Sequence, residues 1–179
     1  MKFCTHCAGR LRFAVPPGDD RRRAICSQCG IIHYSNPKIV AGCLALWEDR
    51  ILLCRRAIEP RRGYWTLPCG YMEEGETVEA AACRETLEES QAEVSIRRLF
   101  SIVSLPEISQ VYLVFLADLQ TPLFGPTPES EDVRLTRQEE IPWDALAFPA
   151  VERVLRAYDK HGAGVNELHM SSCTGPPGR

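Results

Sequence analysis

No apolar run in this 179-residue sequence approaches the ~20 residues that a membrane span requires. The opening Met1-Lys2-Phe3-Cys4 has no hydrophobic segment of the secretory type, so a cytoplasmic protein without a membrane partner is expected. Neither sign of charge dominates: the formal net charge is −3, which argues against a broad nucleic-acid footprint. Internal repeats and low-complexity tracts are absent. With 45% hydrophobic and 25% charged side chains, the chain also falls outside the disordered and fibrous classes. Its length allows one full domain and a small appendage.

What the sequence has in excess is cysteine. Nine is an odd number, and with no export signal it points to a reducing compartment and metal-bound thiols, not a disulfide framework. Four of the nine form two pairs, Cys4-Thr5-His6-Cys7 and Cys26-Ser27-Gln28-Cys29, separated by eighteen residues. Two such turns deliver four thiolates to a tetrahedral structural Zn²⁺, and a short polar segment needs that staple to fold. His6 is expected to face solvent. Cys43, Cys54, Cys69, Cys83 and Cys173 follow no pairing pattern, and Cys43 and Cys54 lie in apolar runs as core residues.

Three regions follow: a zinc ribbon over 1–34, a main domain over 35–165 and a Gly/Pro-rich tail over 166–179. The ribbon carries six basic side chains against two acidic ones. Four thiolates around Zn²⁺ remove two of those positive charges, so a solvated face is expected and nucleic acid is not an expected partner. Beyond it, Ile39 to Trp47 and Ile51 to Cys54 flank Glu48-Asp49-Arg50 as a hairpin. Val94 to Ser104 and Val111 to Ala117 have strand character, and Val133 to Leu135 is a short strand. Residues 77–90 and Ala150 to His161 are helical, the second ending at Gly162. Strands mixed with two helices make an α/β or α+β domain.

The chemically informative stretch runs from Gly70 to Ser90. It holds Glu73, Glu74, Glu76, Glu79, Glu85, Glu88 and Glu89 against one Arg84. At about 100° per residue, Glu85, Glu88 and Glu89 fall within one sector, where like charges repel unless a cation sits among them. Val78, Ala81 and Ala82 continue that sector, while Ala80, Cys83 and Leu87 lie opposite. The pattern predicts a helix covered on both sides. Three carboxylates in such a place call for a hard divalent cation, Mg²⁺ or Mn²⁺.

Gly70, five residues, Glu76, seven residues, then Arg84-Glu85-Thr86-Leu87-Glu88-Glu89 resembles the Nudix box, G-x5-E-x7-R-E-U-x-E-E-x-G-U with U a bulky aliphatic. Thr86 and Ala92 depart from it at aliphatic positions, and Gln91 stands where the family has its closing glycine, at a cost of up to ~1 kcal/mol if the backbone there is left-handed. The ribbon, Gly63-Tyr64-Trp65-Thr66-Leu67-Pro68, Gly125-Pro126-Thr127-Pro128-Glu129-Ser130 and Glu140-Ile141-Pro142-Trp143 are similar to the FAD/ADP-ribose pyrophosphatase subgroup. The resemblance implies an α/β/α sandwich with a mixed sheet behind a zinc ribbon, and a homodimer. It implies Glu85, Glu88 and Glu89 as Mg²⁺ or Mn²⁺ ligands, with the Cys69 carbonyl as a further ligand and its thiol a spectator. Arg84 and Glu76 would orient those ligands.

The implied reaction is hydrolysis of a nucleoside diphosphate linked to another moiety, with ADP-ribose or FAD giving AMP plus ribose 5-phosphate or FMN. Glu129, Glu131 and Asp132 lie where related enzymes place a general base, with Glu129 the candidate taken forward. Trp65, Tyr64 and Phe124 are candidates to stack on the substrate ring. The zinc-ribbon NADH pyrophosphatases, which also remove NAD caps from RNA, are the alternative. They carry Ser-Gln-Pro-Trp-Pro-Phe-Pro after the box, where this chain reads Ser104-Leu-Pro-Glu-Ile-Ser-Gln-Val-Tyr112. An alternative of another class is a non-catalytic nucleotide-sensing adaptor.

Overall fold

A computed structural model describes residues 1–164 and 166–173. The chain divides into two compact units, Met1–Asn36 and Pro37–Arg179, each described by itself.

In the first unit, β1 (Leu11–Ala14), β2 (Arg23–Cys26) and β3 (Ile32–His33) form an antiparallel sheet in that order. The Pro16-Pro17-Gly18 turn joins β1 to β2, with Gly18 at φ 81° and the Asp19 N–H donating to the Pro16 carbonyl. Its buried interior is small, chiefly Cys4, Ala24, Ile25 and Cys26. So little apolar burial cannot offset the chain entropy of ordering the segment, which is why its cysteines matter.

The second unit is built on one mixed sheet. Its order is β10 (Ser130–Thr136), β5 (Arg50–Arg56), β4 (Lys38–Trp47), β9 (Gln110–Leu119), β8 (Val94–Leu105) and β11 (His169–Ser172). The short strands β6 (Trp65–Thr66) and β7 (Cys69–Tyr71) pair with β5 and β4. β4 runs parallel to β9 and β11 parallel to β8, while the other pairings are antiparallel.

Because successive side chains alternate across a strand, this sheet separates two cores. Val40, Leu44, Leu46, Ile51, Leu53, Val114 and Leu116 face α2 (Pro149–His161) through Val151, Val154, Leu155 and Tyr158. Ala41, Cys43, Ala45, Leu52, Cys54, Phe115 and Ala117 face α1 (Val78–Ser90) through Ala81 and Ala82. The result is the α/β/α sandwich with a mixed sheet. Among the described residues, no helix is long and apolar enough to cross a membrane.

Two expectations are corrected. His169–Ser172, read as part of a tail, is strand β11, held by parallel pairing from His169↔Ser101 to Ser172↔Ser104. The rest of the expected tail, 174–179, lies outside the described residues. Helix α1 is covered on one face only: Ala80 and Leu87 are exposed, so its outer side is solvated rather than sandwiched. Ala81, Ala82, Thr86, Glu89 and Ser90 form the buried face instead.

Candidate active site

Both ends of α1 are tied down by local chemistry. Thr77 caps the start by accepting the Ala80 N–H on Oγ1 at 3.1 Å. Gln91 ends the helix in the left-handed region at φ 59°, its N–H donating to the Leu87 carbonyl at 2.8 Å. The missing glycine is offset: Gln91 Nε2 donates to the Pro126 carbonyl at 2.6 Å, and the Gly125 N–H donates to the Ser90 carbonyl. The residue that departs from the box thereby anchors the 121–129 loop. Ala92, where a bulky aliphatic was expected, is fully buried.

Arg84 is the hub of the carboxylates. Nε donates to Glu76 Oε1 at 2.6 Å and Nη2 to Glu76 Oε2 at 2.9 Å, a bidentate pair. Nη1 donates to Glu85 Oε1 at 2.8 Å and Glu88 Oε2 at 3.0 Å, and Nη2 also reaches the Tyr71 carbonyl. The paired guanidinium holds the Glu76 carboxyl down at about 2. Glu85 rests against Gly70, where a Cβ would collide with its carboxyl group. That close approach explains the glycine without any appeal to backbone freedom.

Glu89 differs in kind. It is 5% exposed and its Oε2 accepts only the Cys69 N–H, at 2.9 Å. Burial, reinforced by the Glu85 charge, pushes its carboxyl up to about 8. Glu85 is raised as well, chiefly by burial. In Glu85, Glu88 and Glu89 one oxygen is hydrogen-bonded and the other is free of such bonds among the described residues. Three free carboxylate oxygens, one on a buried group with no ion pair among the described residues, suit a hard divalent ion. Arg84 Nη1 holds one oxygen each of Glu85 and Glu88.

The other candidates sort clearly. The charge of Glu129 reaches both Glu85 and Glu89, whereas Glu131 is taken by Arg55 at 3.1 Å. Trp65 lies in the α2-side core with the Arg134 guanidinium 4.0 Å from its ring centroid, so it is not an open stacking platform. Tyr64 is exposed with Arg61 over its ring, and Phe124 packs at the edge of the α1-side core. Burial pushes the Cys69 thiol up, consistent with an inert side chain. Arg56 was missed in the sequence: it is the cation whose charge reaches Glu89 and Cys69, a proximity made by β5 lying beside the site and carried by no motif.

In the ribbon, Cys4, Cys7, Cys26 and Cys29 place all four Sγ atoms within 4.8 Å of one another, the one such ligand group among the described residues. Sγ–Sγ distances of 3.7 Å (Cys4–Cys29) and 3.5 Å (Cys7–Cys26) match the roughly 3.8 Å edge of a tetrahedron with Zn–S bonds of about 2.3 Å. The His6 N–H donates to Cys4 Sγ, and the Gln28 and Cys29 N–H groups to Cys26 Sγ. His33, also missed, brings Nε2 to 3.3 Å from Cys4 Sγ. The His6 side chain is exposed, as expected.

The NUDIX domain family matches residues 36–158. The chain belongs to the Nudix family. Residues 2–35 match the Nudix N-terminal zinc-ribbon family, which together with the cysteine geometry supports a structural zinc. A Nudix hydrolase from Nitrosomonas europaea of known crystal structure is 46% identical, with a TM-score of 0.92 over 97% of this chain and 99% of that one. An ADP-ribose pyrophosphatase from Streptococcus suis shares the Nudix fold at 19% identity, with a TM-score of 0.63 over 77% of this chain and all of that one. Among curated proteins, the NAD-capped RNA hydrolase NudC of Photobacterium profundum is 31% identical over 146 residues, 79% of this chain and 52% of that protein. The chain thus spans about half the length of the curated relatives it matches.

Proposed function

We propose that this Nudix chain hydrolyses, with Mg²⁺ or Mn²⁺, the diphosphate of an adenosine diphosphate conjugate, ADP-ribose or FAD. The observation that carries the reading is the Arg84 hub binding Glu76, Glu85 and Glu88 beside the buried Glu89. Glu85, Glu88, Glu89 and the Cys69 carbonyl would hold the metal. When bound, it neutralises phosphate charge and lowers the pKa of a coordinated water. Arg84 restrains Glu85 and Glu88 through one oxygen each and leaves the other free, and Glu76 fixes Arg84 in turn. Glu129, exposed and within electrostatic reach of the cluster, takes the proton of the attacking water. The water oxygen bonds to one phosphorus and the bridging P–O bond breaks, giving AMP plus ribose 5-phosphate or FMN. Tyr64 offers the exposed ring for the substrate base.

The preference for ADP-ribose or FAD rests on Ser104–Tyr112. That segment ends β8, turns through a short 3-10 stretch at Pro106–Ile108 and enters β9, with no aromatic run. The curated relatives, named NAD-capped RNA hydrolases, favour a second reading, cleavage of NAD-capped RNA, with NADH as its small-molecule alternative. Product analysis on ADP-ribose, FAD, NADH and NAD-capped RNA, with each metal in turn, separates them. The first reading expects AMP with ribose 5-phosphate or FMN. NADH turnover with kcat/KM about tenfold above both, a gap of ~1.4 kcal/mol, would overturn it. Nucleotide binding without hydrolysis would leave the adaptor.

A further inference from the structure

The ribbon carries a surface that diphosphate hydrolysis does not use. Met1, Lys2, Phe3, Arg10, Leu11 and Phe13 line a shallow hollow of about 410 Å³. Phe3 and Phe13 are 54% and 58% exposed, a large apolar liability for a unit of this size. Each has a cation beside it. Arg10 stands directly opposite Phe3 in an antiparallel bridge, and Arg22 Nη2 donates to the Phe13 carbonyl at 3.2 Å.

The ribbon's two carboxylates do not neutralise these groups. Asp19 is bound by Arg23 at 2.8 Å, and Asp20 lies near Arg21. Lys2, Arg10, Arg12 and Arg22 are exposed and have no carboxylate partner among the described residues. The thiolate cluster borders the hollow, with Cys26 paired to Leu11 and Cys4 following Phe3, but Cys4 and Cys26 are buried while the cations stand in solvent.

This combination selects its occupant by charge. A second copy of the same hollow would bring the three positive charges of Lys2, Arg10 and Arg22 against three more. A neutral apolar partner would strip water from those cations without replacing it. Unpaired nucleotides offer what the face lacks, flat rings for the phenylalanines and a phosphate for each cation. A duplex hides the base faces. We infer that the hollow of the ribbon binds single-stranded nucleic acid, with bases stacked on Phe3 and Phe13 and phosphates on Lys2, Arg10 and Arg22. Nucleic acid therefore enters as a partner where charge counting alone leads to a solvated face, because counting does not show that two rings stand open among the cations. The inference does not depend on which diphosphate the Nudix domain cleaves.

The test is fluorescence anisotropy of a labelled oligouridylate of roughly 10 nucleotides on the full zinc-loaded chain, between roughly 50 and 200 mM KCl. Saturable binding is expected, weakening with salt, with a hairpin duplex of the same charge binding less well. Phe3→Ala and Phe13→Ala should each weaken binding about fivefold or more. Arg10→Gln and Lys2→Gln should each reduce the salt slope by about 1. Zinc content and cleavage of a small diphosphate should stay at wild-type values in all four variants. Hydrolysis assays on the same preparations keep a failure of this inference distinct from a failure of the proposed activity. Absence of saturable binding overturns it. So does binding that both alanine variants retain in full while polyglutamate displaces the RNA, which would make the face a general polyanion surface. A wild-type dimer that either alanine variant dissociates, with RNA affinity unchanged, would assign the hollow to self-association.

Discussion

The Cys69 N–H donates to Glu89 Oε2 at 2.9 Å, joining strand β7 to the last turn of α1. Among the described residues it is the one hydrogen bond on a carboxyl group that is nearly sealed from water. One neutral donor does not repay the solvation that an ionised carboxylate gives up, so the group holds its proton until a cation compensates it.

That relationship gives a pH dependence to the metal-free protein. Glu89 ionises at its ordinary 4.5 when unfolded and at about 8 when folded. The folded state therefore binds the extra proton, and its contribution to stability is full below 4.5 and lost as pH rises through 8. Glu85, raised in the same direction, adds to the slope. The melting temperature of the chelated protein should fall across this window, and Glu89→Gln should flatten the fall. Affinity for Mg²⁺ should rise across the same window. A wild-type slope retained in Glu89→Gln would assign the titration to another group.

Exchanging each carboxylate for its amide separates metal ligation from a solvated face. Glu85→Gln, Glu88→Gln and Glu89→Gln keep side-chain shape and remove one negative oxygen donor. Each should lose on the order of 10²- to 10⁴-fold in kcat/KM, several kcal/mol in barrier, with little loss of folding. Glu79, exposed and making none of the Arg84 bonds, is the internal control and should lose less than about threefold as Glu79→Gln. Equal activity across all four variants would refute the ligand assignment.

Gln91 sets left-handed strain against a hydrogen bond. Holding a non-glycine residue at φ 59° costs up to ~1 kcal/mol, and its bond to the Pro126 carbonyl returns a similar amount. Gln91→Ala keeps the strain and drops the bond, so it should destabilise by about 1 kcal/mol in urea unfolding. Gln91→Gly drops both and should stay within about 0.5 kcal/mol of wild type. A neutral Gln91→Ala would show that the loop does not need this anchor.

Metal analysis should find one zinc per chain, and Cys26→Ser should lose it, since removing one of four thiolates opens the site. Full zinc occupancy in that variant would exclude the four-ligand arrangement.

The elements that sequence reading finds are those with a strong local cause. Helix α1 has Thr77 before it and small residues at helical spacing, and the β4–β5 hairpin has apolar runs around a polar turn. Strand β11 has no such cause. His169-Met-Ser-Ser shows no apolar alternation, and it becomes a strand because β8 offers a free edge to it. The exposure of Ala80 and Leu87 also depends on what does not pack there, which periodicity alone does not reveal. In the site, Glu76, Arg84, Glu85, Glu88 and Glu89 carry their spacing in the chain. Arg56 comes near Glu89 only through the sheet, and Trp65 is claimed by the core through contacts remote in sequence.

Short side chains crowd the layer between α1 and the sheet: Ala41, Cys43, Ala45, Ala81, Ala82 and Ala117, beside the larger Leu52 and Phe115. Where alanine meets alanine there is no rotamer to yield, so the helix rides against the strands like a rule against a straightedge. Adding bulk at Ala82, nowhere near an oxygen donor, would lift the helix and swing the row of glutamates away from Cys69. The depth at which those oxygens stand is thus set by the shortness of the side chains beneath them.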